Sequence, residues 1–261
     1  MGTLKHEIVE DRVIHGEGTR VEEWRKCEIL QQMPEFDISN VIPADARVCI
    51  VAPHPDDEIL GCGGLMQRLD KLGYKIVLFA VTNGTASHPG SSLYTPEELN
   101  QIRPAETRQA LEELSKEQPV LRIALDIQDG KVAEQRGLLK QQLHSYLQPN
   151  DILVTTFVHD GHPDHEITGQ VVQQLATELQ LPYIQVLIWA WHWATPGDTR
   201  IPWTVAHKLR LTDEELKCKA RAARCFKSQI ENDPTTEQAP IVPEHALERV
   251  LQPWEVYLYE Q

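Results

Sequence analysis

No stretch of the 261 residues approaches the roughly 18 consecutive apolar residues that a membrane-spanning helix needs. The first ten residues, M-G-T-L-K-H-E-I-V-E, lack the apolar core, roughly 7–15 residues long, of a signal peptide. These absences predict a chain with no membrane span, acting in the cytoplasm. Cysteine is scarce: five residues, at 27, 49, 62, 218 and 225, with no C-x-x-C pair. An odd, scattered set is no disulfide framework, so the thiols are expected to be reduced. Positive charge is also short. There are 25 Lys and Arg against 39 Asp and Glu, a net charge of −14. That excludes non-specific binding to nucleic acid or to an anionic membrane, which needs clustered basic residues. It leaves room for an anionic substrate in a local basic pocket. No internal repeat and no low-complexity linker is present.

What is present is an alternation. A-R-V-C-I-V-A (46–52), K-I-V-L-F-A-V-T (75–82), L-R-I-A-L-D-I (121–127), D-I-L-V-T-T-F (151–157) and I-Q-V-L-I-W-A-W (184–191) read as strands. Between them lie helical patterns over 60–72, about 96–115, 132–148 and 166–180, with a further one over 213–229. Pro104 is expected to interrupt the second of these, leaving it in one or two pieces, and to push Arg103 out of helical geometry. A short helix is expected around 20–32 and another near 244–251, with P-W-E-V-Y-L-Y as a last edge strand. This pattern predicts an α/β fold, a Rossmann-like, mostly parallel sheet with helices on both faces. Its active site would lie at the carboxyl ends of the strands. Residues 46–261 read as a single domain, and 1–45 as an N-terminal extension packed on it.

Two strand ends carry the chemistry. After the first strand comes P-H-P-D-D-E, with His54, Asp56, Asp57 and Glu58. After the fourth comes H-D-G-H-P-D-H, with His159, Asp160, His162, Asp164 and His165. A catalytic zinc takes three protein ligands and leaves one position open. His54 and Asp57, three apart across a Pro-shaped turn, can reach one ion, and His162 or His165 can supply the third donor. Imidazole and carboxylate without cysteine suit Zn2+, and also Fe2+, Mn2+ or Co2+.

The motifs P-H-P-D-D-E and G-H-P-D-H resemble the two signatures of the PIG-L/LmbE-like deacetylases, zinc-dependent hydrolases acting on N-acetylglucosaminyl compounds and related amides. Arg103 and Glu106 resemble that family's R-x-x-E, Asp129-Gly130 its D-G, and K-A-R-A-A-R-C-F-K-S-Q at 219–229 its late helix. The likeness runs from about residue 46 to 229. It implies that His54, Asp57 and His165 bind the metal and that Asp56 is the general base. It makes His162 the group that steadies the oxyanion or donates a proton, with Asp164 orienting an imidazole. Arg103 and Asp129 would contact substrate. The partner implied is a small acetylated amino sugar or related amide, hydrolysed by metal-activated water. An amidase for another small amide, or a metal-binding module without turnover, are the other readings. A homo-oligomer is compatible with the sequence.

Other features have plainer readings. Glu58 reads as an acid favoured at a helix N-terminus, and His159 and Asp160 as ordinary loop residues. G-C-G-G (61–64) lacks a phosphate-loop pattern and reads as close helix–sheet packing. Residues 85–95 form a polar loop that could serve as a lid. In W-A-W-H-W, strand alternation would put Trp189, Trp191 and Trp193 on one face, as core, subunit contact or sugar platform. E-E-L-N-Q (97–101) and E-R-V-L-Q (248–252) read as solvated helix faces.

Overall fold

The computed structural model describes residues 12–260. The chain opens with three short helices, α1 (Val21–Arg25), α2 (Glu28–Gln32) and α3 (Ile38–Val41). The one helix expected over 20–32 is thus two, broken at Cys27, which is extended. Next come β1 (Arg47–Ala52), α4 (Asp57–Lys71), β2 (Lys75–Ala80), α5 (Pro96–Leu114) and β3 (Leu121–Ala124). They are followed by α6 (Arg136–Tyr146), β4 (Asp151–Thr156), α7 (Pro163–Leu179) and β5 (Tyr183–Val186). The last third holds α8 (Ala190–Trp193), β6 (Ala206–Arg210), α9 (Asp213–Ala223), α10 (Lys227–Ile230), α11 (Glu244–Val250) and β7 (Trp254–Leu258).

The strands form one sheet in the order β3-β2-β1-β4-β5-β7-β6. β1 to β5 pair in parallel, and β7 runs antiparallel to both its neighbours. Strand alternation distributes the core. Val48 and Ile50 of β1 join a large cluster with α4, α5, α9 and the N-terminal helices. Cys49 and Val51 join a second cluster with α6 and α7 on the other face. Trp24, Leu30 and Phe36 are buried in the first cluster, so the N-terminal helices share the main core. Among the described residues no helix is long and apolar enough to cross a membrane, and all five cysteines are free.

Four local expectations are corrected. α5 runs unbroken through Pro104, and Arg103 is helical within it. β5 stops at Val186, and W-A-W-H-W forms the turn of α8 instead of a strand. β7 is interior, because A-H-K-L-R forms β6 outside it. That strand was hidden by its basic residues; Lys208 is in fact buried and donates to the Leu30 carbonyl. The late helix splits into α9 and α10.

The G-C-G-G run does pack closely. A Cβ on Gly61 would lie 2.6 Å from Val186, and one on Gly64 2.3 Å from Leu211. α4 kinks at Cys62, whose φ is −144°. Glu255 of β7 accepts from the backbone N–H groups of Gly64 (2.7 Å) and Leu65 (2.9 Å) just beyond the kink. Lys219 of α9 neutralises it at 2.7 Å, both side chains being buried. The kinked helix that begins with Asp57 is therefore fixed from behind by a paired charge.

Candidate metal centre and active site

β1 and β4 are neighbours in register, Val51 facing Thr155. The two histidine-rich segments must therefore emerge side by side at the carboxyl rim. From the first, Pro53 to Pro55 lead to Asp56, the N-cap of α4, with α4 beginning at Asp57. From the second, His162 caps α7, its Nδ1 accepting from the N–H of Asp164 at 3.2 Å.

Three atoms converge there. His54 Nδ1 lies 3.2 Å from His165 Nε2 and 3.4 Å from Asp57 Oδ2, and His165 Nε2 lies 3.2 Å from the same Asp57 oxygen. The opposite ring nitrogens are occupied by carboxylates. His54 Nε2 lies 3.2 Å from Asp129 Oδ1 and 3.4 Å from Asp164 Oδ2. His165 Nδ1 lies 2.8 Å from Asp160 Oδ2. With those ring protons donated outward, the inner atoms would face one another as lone pairs once the two imidazoles are neutral, as metal binding requires. Three acceptors at such distances repel unless positive charge lies between them. A tetrahedral ion with bonds of about 2.0–2.1 Å spaces its ligands about 3.3–3.4 Å apart. The triangle matches those edges, and the donor set fits a divalent transition metal. His162 also stands close, its donor atom lying within 4.8 Å of those of His54 and His165.

The electrostatics agree. Burial alone would raise Asp57, but the facing His165 and His54 outweigh it and hold the carboxyl well below its usual range. Burial works against protonated His165, yet Asp57 and Asp160 push it up to about 9. His54 is raised as well, against its burial, by Asp129, Asp164 and Asp57. The site is built to hold positive charge. His162 differs: burial, then the charges of His54 and His165, press it well below 6.5. It is a neutral imidazole at pH 7, with Nδ1 accepting and Nε2 carrying the proton.

Asp56 does not belong to the triangle. It is 6% exposed, and its φ of 128° is far outside the range an L-residue prefers. Four contacts hold it. Its N–H donates to Glu58 Oε2 at 3.0 Å, its carbonyl accepts from Ile59 and Leu60, and its Oδ2 lies 3.4 Å from Arg103. Strain held so firmly is characteristic of functional positions. Burial pushes the Asp56 carboxyl up to about 7; the Arg103 charge opposes this and the Asp57 charge adds to it.

Several expected side chains occupy unexpected places. Arg103 is 3% exposed. Its guanidinium donates to the carbonyls of Pro55 (2.6 Å) and Gly84 (3.1 Å) and contacts Asp56. It clamps the loop that carries Asp56 and makes no surface pair. Asp129 lines the cleft, but Oδ1 faces His54 and Oδ2 accepts from the Ala86 N–H at 2.7 Å, so both oxygens are engaged. Asp164 also accepts from the N–H groups of Gly130 (2.8 Å) and Val132 (3.4 Å), tying the third strand's loop to His54. Of the three tryptophans only Trp189 lines the cleft. Trp191 packs against Trp24 at 4.9 Å, and Trp193 Nε1 donates to the Asp160 carbonyl.

Sequence reasoning missed Asp160. It is fully buried and accepts from the N–H groups of Ile188, Trp189 and Ala190, each at 3.0 Å, besides His165. Glu58 is buried too, with Oε1 lacking a partner, and burial pushes it up to about 8. Arg249 of E-R-V-L-Q is no solvated residue: it is buried, donates to the carbonyls of Thr19 and Glu17, and lies 3.1 Å from His192 Nδ1. Glu106 accepts from the N–H (2.8 Å) and hydroxyl (2.7 Å) of Ser228, which fixes Gln229 in the wall of the cleft. No sequence periodicity marks these residues, because their partners are distant in the chain. The cleft itself encloses about 460 Å³.

Comparison with known proteins gives the same fold. Residues 49–176 match the family model PIG-L, GlcNAc-PI de-N-acetylase. N,N'-diacetylchitobiose deacetylase from Pyrococcus horikoshii, complexed with its inhibitor MPG, is similar in structure (TM-score 0.57, 22% identity, 79% of this chain and 77% of that one). The zinc-inhibited form of teicoplanin deacetylase Orf2 superposes with TM-score 0.59 at 18% identity, covering 82% and 97% of the two chains. The conserved protein TT1542 from Thermus thermophilus gives 0.57 at 19%, covering 83% and 95%. No curated protein matches the sequence.

Proposed function

We propose, for a chain whose residues 49–176 belong to the PIG-L/LmbE-like family, a zinc-dependent N-deacetylase that hydrolyses the acetamide of a GlcNAc-type or related amino sugar. The observation that carries this is the lone-pair triangle of His54, Asp57 and His165, with a strained, separately held carboxylate beside it. A metal binder has no use for that fourth group. Two solved proteins with this fold are, by their names, deacetylases of N,N'-diacetylchitobiose and of teicoplanin, and the first supports the substrate class proposed.

His54, Asp57 and His165 would hold the metal. Bound there, it supplies a Lewis acid that polarises the acetamide carbonyl and acidifies a water beside it, to a pKa of about 7. The remaining work falls to protein groups. Asp56, raised to about 7, accepts a proton from the attacking water and returns it to the departing nitrogen. His162, neutral and with Nε2–H free of its cap, donates a hydrogen bond to the oxygen where charge develops. Asp160 holds His165 in the tautomer that presents Nε2, and Asp129 with Asp164 does the same for His54 Nδ1. Arg103 positions the Asp56 loop, and Asp129 fills a positioning place instead of a substrate contact.

The test is metal stripping and return. Chelated protein should release no acetate from N-acetylated amino sugars, and one equivalent of zinc should restore release. His165→Ala should bind zinc at least tenfold more weakly. Full activity in the chelated protein would refute the proposal.

A further inference from the structure

The cleft is two-sided. One wall carries the metal-ligand candidates, Asp56, Arg103, Asp129 and His162. The other is apolar: Leu60 of α4, Ile188 and Trp189 after β5, and Val242, Ala246 and Val250 in and before α11. This wall is continuous with the reacting end. Asp160, which holds His165, also fixes the N–H groups of Ile188 and Trp189. The polar side chains that flank the triangle are largely engaged with the protein itself. Both Asp129 oxygens are engaged, and Ser87 donates to the Gly84 carbonyl. The two guanidiniums on the cleft, Arg103 and Arg249, are already hydrogen-bonded to backbone carbonyls. Neither guanidinium is left for an anionic group, and sugar hydroxyls would be met by Gln229 and Gln238 of the same lining.

We infer that the substrate carries an uncharged apolar group, several carbons in size, which lies on the wall formed by Leu60, Ile188, Trp189 and α11. This deepens the deacetylase reading and rests on it for the position of the acetamide. The shared chemistry is an apolar chain or ring, and it can enter from either side of the amide. It is an aglycone on the amino sugar, or a longer acyl chain in place of acetyl.

The experiment measures binding by calorimetry to the zinc-loaded Asp56→Asn protein, so that turnover does not intervene. Three probes are compared: methyl N-acetylglucosaminide, its hexyl glycoside, and the methyl glycoside bearing an N-hexanoyl group. Burying a handful of methylenes, partly offset by ordering, predicts roughly 10- to 100-fold tighter binding of one hexyl-bearing probe. A gain for the hexyl glycoside places the group on the amine side, and a gain for the hexanoyl amide places it on the acyl side. Equal affinity of all three overturns the inference. Ala246→Asp should abolish the gain and leave the methyl probe unchanged. Ile241→Asp, on a loop at the same cleft, serves if the helix variant misfolds. A gain that survives both substitutions also overturns the inference. If the unsubstituted protein hydrolyses none of the probes while the apolar gain persists, the deacetylase reading fails and the apolar site stands.

Discussion

Replacing Asp160 with Asn should weaken metal binding without touching a ligand. Asp160 accepts four buried hydrogen bonds. Oδ1 takes the N–H groups of Ile188 and Ala190, and Oδ2 takes Trp189 N–H and His165 Nδ1–H. An Asn has one oxygen and one NH2, so it has two orientations. With its oxygen toward Ile188 and Ala190, the NH2 faces Trp189 N–H, an unrelieved clash, and His165 Nδ1. The imidazole can answer by moving its proton to Nε2, which satisfies the NH2 but closes the nitrogen that faces Asp57. In the reverse orientation His165 keeps its tautomer, but two backbone N–H groups meet the NH2. The metal-free protein should choose the first, since it leaves one donor clash instead of two. A buried unsatisfied donor costs about 1–3 kcal/mol, so the metal-free variant loses about that much stability. Binding metal then requires the second orientation, at a further cost of about 1–3 kcal/mol. At about 1.4 kcal/mol per tenfold, zinc affinity should fall roughly 10- to 100-fold, the usual range for such outer carboxylates. Urea unfolding of the metal-free proteins reads the first quantity. Zinc titration against a chromophoric chelator reads the second. Zinc affinity within twofold of the parent would show that Asp160 does not set the His165 tautomer, and the reasoning would fail.

Three further outcomes are expected. Gly84→Ala adds a Cβ at φ +64°, 1.8 Å from an Arg103 nitrogen; the displaced clamp should misplace Asp56 and lower kcat about 100-fold, and steady-state rates near those of the parent would contradict the clamp. Lys219→Met leaves Glu255 as a buried unpaired charge and should cost about 3–5 kcal/mol, with Lys219→Met/Glu255→Gln recovering most of it in chemical denaturation. Glu58 is raised in the folded protein to about 8 by burial. The native state therefore binds its proton more tightly than the unfolded chain, and metal-free stability should fall as pH rises from about 4.5 to 8. Glu58→Gln should flatten that slope, and parallel pH–stability curves for the two proteins would count against a neutral Glu58.

The fold and the histidine–carboxylate cluster were legible because both are written locally. An apolar β-branched run such as R-V-C-I-V-A fixes a buried strand, and the ionisable residues that follow it must sit at the strand's end. Once β1 and β4 are adjacent, His54 and His165 meet. The features that escaped are set by distant partners. I-W-A-W looks like a strand until Asp160 captures three successive N–H groups and bends it into α8. E-R-V-L-Q looks solvated until Arg249 finds carbonyls more than 200 residues earlier. Pro104 looks like a break, yet α5 passes through it with Arg103 anchored on Pro55 and Gly84. P-W-E-V-Y-L-Y could be an edge only while the basic β6 went unread.

The central claim is that a metal site and a separate base act together on an amide. Its most direct test is amine release from N-acetylated amino sugars by zinc-loaded protein, set beside Asp56→Asn with zinc content measured in both. The account predicts equal zinc in the two proteins and a rate in the variant lower by roughly 10²–10⁴-fold. Equal rates at equal zinc, or a fully loaded parent protein that releases no amine, would contradict it.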